Sequence, residues 1–347
     1  MILRAWTSGW TRVLAAPAIA AGVFVMTAVI ALPLALVVRG AIASHLNDSL
    51  MASQAADAVN WDWWQEFTAQ ATGVATTFTP SVIGFGAALD TLSRVVDAQG
   101  LNVPLASALA LYLAGWAFLS AGIVDRYARE RPTHAHGFFA IAGGYLFRFM
   151  RLGVVVGLVY AWLFAYVHPW LFNRIYVDVT RNLSVERTVF LRRVAFYGVF
   201  GLALMLVNLI TDYAKVRIVV EDRRSVLGGL SAAWRFIRRH PRHVLGLYGL
   251  NSVVFAIVVT VWAIAAPGAG TSELTTWAAF AFTQLYVVAR LLLKLQFIAS
   301  QTALFQAHLA HASYTAEPVP VWPDSAAAEA IGRSVRLPDR RRLGEGG

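Results

Sequence analysis

Apolar positions along the chain fall into six long runs, at 13–38, 104–124, 152–172, 194–211, 244–266 and 276–296, separated by connections rich in arginine. A helix at the surface of a soluble domain carries a polar stripe, whereas a run of about 20 apolar residues matches a bilayer core about 30 Å thick. The runs predict an all-α, polytopic membrane protein with six transmembrane helices. The first run is 26 residues long, longer than the apolar core of a secretory leader. It is therefore expected to be retained as a span, although Ala41-Ile42-Ala43 resembles a cleavage site.

A second pattern precedes spans one, three and five. There, apolar residues recur at helical spacing with arginine on the remaining face, which predicts amphipathic helices lying in the membrane interface. Before span five the stripe is Val226, Leu227, Leu230, Trp234 and Ile237, with Ser225 placed to cap the helix and Pro241 to stop it. Before span three it is Phe138, Phe139, Ala142, Tyr145, Leu146 and Phe149 beside Arg148 and Arg151, after a candidate cap at Thr133. Residues 1–12 form the first such helix, with Leu3, Trp6 and Trp10 beside Arg4 and Arg12. The chain thus reads as three units of interfacial helix plus helical hairpin. Spans two and four end alike, in Asp125-Arg126-Tyr127-Ala128-Arg129 and Asp212-Tyr213-Ala214-Lys215.

The long connection 39–103 is acidic and holds Trp61, Trp63 and Trp64, expected at headgroup depth, with a ligand-stacking platform as the alternative. Its stretch 81–96 reads as an interfacial or lid helix. The transmembrane domain is assigned to 13–312, and the tail 313–347, rich in Pro, Ala, Gly and charge, is expected to lack stable packing.

Charge sets the expected orientation. With the N terminus inside, the inward segments hold 20 of the 29 Lys and Arg residues and the outward ones 7, so both termini are expected in the cytoplasm of a bacterial cell, with the chain in its inner membrane. The connection 173–193 runs against this bias, with Arg174, Arg181, Arg187, Arg192 and Arg193. The net charge of +10 would suggest nucleic acid in a soluble protein. Beside membrane spans, anionic lipid headgroups are the nearer partner, and nucleic acid is not expected.

Little in the chain suggests catalysis. It has no cysteine, no His-Glu-x-x-His, no Gly-x-Ser-x-Gly and no phosphate loop. The pairs His134/His136 and His308/His311 each supply half a tetrahedral site, so no metal and no cofactor is expected, and His240 is read as a helix-end cap. Gly153 and Gly157 suggest close helix packing. Two cations interrupt the last span, Arg290 and Lys294, and charges at such depth are usually partnered. Asp125 and Asp212, each ending a span on the same side, are the expected partners, giving an intramembrane ion-pair cluster of Asp125, Asp212, Arg290 and Lys294. Arg148, Arg151, Arg235, Arg238, Arg239 and Arg242 are the headgroup candidates.

The segment from Asp212-Tyr213-Ala214-Lys215 through Glu221-Asp222-Arg223-Arg224-Ser225 to His240-Pro241 resembles a family of uncharacterised six-span bacterial inner-membrane proteins. It is more loosely similar to the membrane domain attached to some glycerophosphodiester phosphodiesterases, over roughly 120–300. The phosphodiesterase domain itself has no counterpart here, so the resemblance implies fold and location and carries over no catalytic residue. The expected function is a non-catalytic inner-membrane scaffold or complex subunit that organises anionic lipid and has a membrane-protein partner. A transporter or lipid-translocating protein is the alternative.

Overall fold

The computed structural model describes residues 1–47, 49, 51, 52, 54, 60–78, 93, 97, 98, 100, 103–265 and 273–311. Among these the chain is helical: α1 (Ile2–Leu14), α2 (Pro17–Leu46), α3 (Trp61–Gln70), a 3-10 turn (Gly73–Thr77), α4 (Val103–Arg129), α5 (Ala135–Thr180), α6 (Glu186–Val220), α7 (Val226–Arg239), α8 (Pro241–Ala265) and α9 (Glu273–His311). Helices α2, α4, α5, α6, α8 and α9 are each long and apolar enough to cross a membrane. The chain is a multi-pass membrane protein.

Proline decides where these helices break. Pro17 opens α2 and Pro241 opens α8, in both cases at the first helical turn, where a missing N–H leaves no bond unmade. Helices α1 and α7 are thereby separate elements, and α1 runs to Leu14 where the sequence suggested residue 12. The expected third helix of this kind is not separate. No proline lies between Ala135 and His168, so the stretch beside Arg148 and Arg151 is the first half of α5, which continues without a break. Farther on, Pro169 lies between two π-helical stretches, Leu163–Val167 and Trp170–Ile175. Wider turns absorb the amide that proline lacks without ending the helix.

Tight packing is concentrated at one end of the bundle. Only 6% of the most apolar window of α2 is buried within the protein, and 17% of that in α9. The outward faces of the spans are therefore left for lipid. The buried residues instead gather where α1 and α7 meet the ends of α4, α6 and α9: Val124 and Tyr127, Tyr213 and Ile218, Phe236 and Ile237, and Leu295 and Phe305. Six crossings return α9 to the side on which α1 begins, and Arg12 of α1 indeed reaches Gln306 near the end of α9.

The apolar faces of α1 and α7 differ from those read in the sequence. Helix α7 buries Val226, Gly229, Ala232, Ala233, Phe236 and Ile237 against the bundle, while Leu227 and Trp234 of the expected stripe are exposed. Ser225 caps it as anticipated, accepting a hydrogen bond from the Gly228 amide at 3.1 Å. Gly229 is required by close approach: a Cβ there would lie 2.9 Å from Ile218 Cγ1. Gly153 and Gly157 serve no such contact within the chain, since a Cβ at either would meet nothing within 4 Å.

At the opposite end, Asn60 caps α3, accepting from the Trp63 amide at 3.0 Å. The tryptophan cluster is divided. Trp63 is buried against Phe67 and donates from Nε1 to His45 Nδ1 at 3.0 Å, which leaves its ring unavailable as a ligand platform. Trp61 stays exposed and meets Trp64 edge to face. The stretch 81–96, apart from Ser93, and the tail beyond His311 lie outside the described residues.

Candidate functional site

The densest polar chemistry lies at the packed end of the bundle, where helix termini leave unpaired carbonyls that arginines can reach. Arg12 and Arg126 are the buried arginines of this layer. The Arg12 guanidinium donates to Tyr127 O at 2.9 Å and Gln306 Oε1 at 2.8 Å and forms an ion pair with Glu130. Gln306 Nε2 in turn donates to Ala128 O at 2.8 Å, and Arg126 to Ala15 O at 3.2 Å. Glu130 follows α4 with φ 54°, a left-handed residue at the helix end.

The end of α6 repeats this device. Asp222 has φ 46° and accepts from Arg148 of α5 at 2.6 Å and from Tyr145 Oη at 2.8 Å. Glu221 binds Arg217 and Arg223, and Arg217 donates onward to Ala232 O of α7 at 2.6 Å. In both spans the tyrosine of the shared Tyr-Ala-cation sequence, Tyr127 or Tyr213, is fully buried.

These contacts set the protonation of the turn after α6. The Arg148 hydrogen bond holds the Asp222 carboxyl below its ordinary value, helped by Tyr145. Burial alone would raise Glu221, but hydrogen bonds from Arg217 and Arg223 reverse this and lower it. A carboxyl with a lowered folded-state pKa contributes stability above its unfolded value and loses it as pH falls through the folded one. Asp222→Asn should therefore lower the melting temperature near pH 7, and the difference from the wild type should be smaller at about pH 3, below the ordinary aspartate value. Thermal unfolding of both proteins at the two pH values checks this.

The expected intramembrane cluster is not assembled as read from the sequence. Asp125 pairs with Arg129 at 2.8 Å and Asp212 with Lys215 at 3.1 Å, each within its own helix. Arg290 is exposed, its guanidinium over the ring of Tyr286 at 5.5 Å, and no ion pair among the described residues joins it to either aspartate. Lys294 comes nearest to the expectation. Its ammonium lies 3.6 Å from the Trp116 ring centroid, 5.1 Å from that of Tyr112 and 3.4 Å from Tyr112 Oη. Asp212 and Lys215 are within electrostatic reach of it, and Tyr160 and Tyr248 within reach of Asp212. Lys294 keeps exposed surface of its own. Aromatic faces replace the carboxylate as first partner of the cation.

The headgroup candidates divide in two. Arg148 is engaged by Asp222, which ties α5 to α6 and withdraws it from a free anion-binding role. Arg151 is exposed and donates to Phe147 O one turn back, at 3.2 Å. Arg235, Arg238, Arg239 and Arg242 are all exposed, and none has an ion pair among the described residues. They stand beside exposed Leu227 and Trp234 on the outer surface of α7 and the start of α8. In the connection that ran against the charge bias, Arg192 donates to Val179 O and Arg193 pairs with Asp97, so part of that charge is used internally.

The last span also carries a buried polar ladder that sequence reading passed over. Gln296 Nε2 donates to Trp6 O at 2.7 Å, Asn251 Nδ2 donates to Ser300 Oγ at 2.9 Å, and Gln301 and Thr302 are buried beside them. Spacing could have disclosed it, since Gln296, Ser300 and Thr302–Gln306 follow helical steps in an otherwise apolar run. The histidine pairs also rearrange. His134 and His136 are exposed, and His308 meets His240 and His243 from the α7–α8 junction.

Fold and site together define a six-span helical membrane protein whose packed end presents, on α7 and the start of α8, arginines with no ion pair among the described residues. Compared with protein-family models, curated proteins and solved structures, the chain matches none.

Proposed function

We propose that this chain is a non-catalytic scaffold or complex subunit of the bacterial inner membrane, with both termini cytoplasmic, that organises anionic lipid at its cytoplasmic face. The observation that carries this reading is the set Arg235, Arg238, Arg239 and Arg242, exposed and without an ion pair among the described residues, beside the exposed Trp234. A helix anchored by a buried face, with cations and an aromatic on its outer face, suits the boundary between headgroups and acyl chains. The distribution of arginine along the sequence supports the orientation. The resemblance to six-span inner-membrane proteins supports the location. Purification in a mild detergent, followed by mass spectrometry of everything that co-purifies, tests the scaffold role. A stoichiometric protein partner is expected, and its absence from purifications at several expression levels would remove the scaffold half of the proposal.

A second reading, a transporter or lipid-translocating protein, draws on Lys294. A cation within an apolar span, beside Asp212 and two aromatic rings, is the chemistry of an ion or headgroup pathway. The chain has no cysteine, so a Lys294→Cys variant reports alone. Under the scaffold reading, membrane-impermeant thiol reagents leave it unmodified from both sides of sealed vesicles. Modification from either side would favour transport.

A further inference from the structure

We propose that His240, His243 and His308 form a three-imidazole site for a borderline divalent transition-metal ion of the zinc class, with a fourth position left to an exchangeable ligand. One imidazole nitrogen from each of the three lies within 4.8 Å of the other two. A tetrahedral ion with bonds of about 2.0–2.1 Å needs its nitrogens about 3.3 Å apart, so the three need approach by no more than about 1.5 Å. The rings are already gathered: His240 and His308 stack with centroids 4.0 Å apart, and His243 is 5.1 Å from His308.

The local structure places each ligand for a reason. His240 is the residue at which α7 stops before Pro241, its own amide donating to Phe236 O at 3.0 Å and its carbonyl accepting from Val244 N at 3.1 Å. The junction is fixed at both ends, which aims the His240 ring inward. His243 stands in the first turn of α8, and His308 arrives from the end of α9. Phe236 walls the group, 5.2 Å from the ring of His240 and 5.7 Å from that of His308. All three histidines are half-buried, so an ion has a route in.

The donor set selects the ion. Three neutral nitrogen donors suit zinc, copper, nickel or cobalt, whereas magnesium and calcium require oxygen. His243 and the Arg239 guanidinium lie within electrostatic reach of His240, so the site has positive surroundings. The same positive surroundings oppose a second cation electrostatically. Retention must come from directed metal–nitrogen bonds, and an anionic fourth ligand would be favoured. A bound ion would fasten the end of α9 to the α7–α8 junction.

The test uses the full chain without an affinity tag, in nanodiscs. Titration with Co²⁺ should give the visible absorption of a tetrahedral complex at one equivalent per chain, abolished by Zn²⁺. His243→Ala and His308→Ala should each weaken binding by more than about 100-fold, beyond what loss of a supporting contact causes. His134→Ala combined with His136→Ala should bind as the wild type does. As a second readout, Zn²⁺ should raise the melting temperature of the wild type and not of His243→Gln, which keeps a polar side chain if the alanine variants fail to fold. No tetrahedral Co²⁺ spectrum in the wild type, or equal binding and equal stabilisation in the histidine variants, would overturn the proposal.

Discussion

Arg12→Ala is expected to release α1 from the bundle and to lower the melting temperature of the purified protein more than any other single substitution in the polar layer. Arg12 is nine-tenths buried and serves three partners at once, the Tyr127 carbonyl, Gln306 and Glu130. Alanine leaves the buried Tyr127 carbonyl without this donor and the half-buried Gln306 Oε1 without its own. Each charge-assisted hydrogen bond contributes about 1.5–3 kcal/mol, and Glu130 is more than half exposed and regains water. The expected loss is therefore about 2–4 kcal/mol, the low side of the range for breaking a fully buried pair. Arg12→Lys should recover only part of it, because an ammonium lacks the planar fork that spans separated acceptors. Gly9→Leu should mimic the effect without touching a charge, since a Cβ at Gly9 would lie 2.8 Å from Gln296 Oε1 and 2.9 Å from Ser300 Cβ. In both variants, limited proteolysis should cut between α1 and α2, at Ala15 and Ala16, where the wild type is protected.

Replacing Arg235, Arg238, Arg239 and Arg242 together by alanine should reduce recovery of anionic lipid with the purified protein at least tenfold and leave its melting temperature within a few degrees of the wild type. The asymmetry follows from where these side chains point. None forms an ion pair among the described residues, and the face that holds α7 in place is Val226, Gly229, Ala233, Phe236 and Ile237. Each arginine near an anionic surface contributes about 1 kcal/mol, so four removed charges exceed a tenfold effect even if only half of them engage lipid. Raised salt should weaken lipid retention by the wild type and change little in the variant. A matched loss of folding would mean that the arginines hold the bundle together.

The fold was legible because membrane spans announce themselves by length: each of the six apolar runs lies mostly within a long helix. Pro241 also marked the break before span five, and the first break falls at Pro17, a few residues beyond the boundary expected after residue 12. The third break was misread before span three, where stripe and arginines looked the same but no proline interrupts the helix. An amphipathic pattern alone does not end a helix, and the two breaks seen beside such stripes both fall at a proline.

The site was less legible because its contacts join distant segments. Lys294 and Trp116 meet across α9 and α4, and an aromatic face leaves no mark of spacing in a sequence. The aspartates were matched to the wrong cations because Arg129 and Lys215, one turn away in their own helices, satisfy them first. Arg12 resembled any interfacial arginine until α9 brought Gln306 to it. His308 likewise paired by local spacing with His311, whereas its ring lies against those of His240 and His243. The α7 arginines were legible, since a charged face opposite small and aromatic residues is a local property of one helix.

The most direct test of the lipid-organising role is native mass spectrometry of the wild-type protein ejected from nanodiscs made with equal parts of an anionic and a zwitterionic phospholipid. Retained lipid should be predominantly anionic and should fall toward the bulk ratio in the variant lacking Arg235, Arg238, Arg239 and Arg242. Retention in the bulk ratio by the wild type itself would contradict the account.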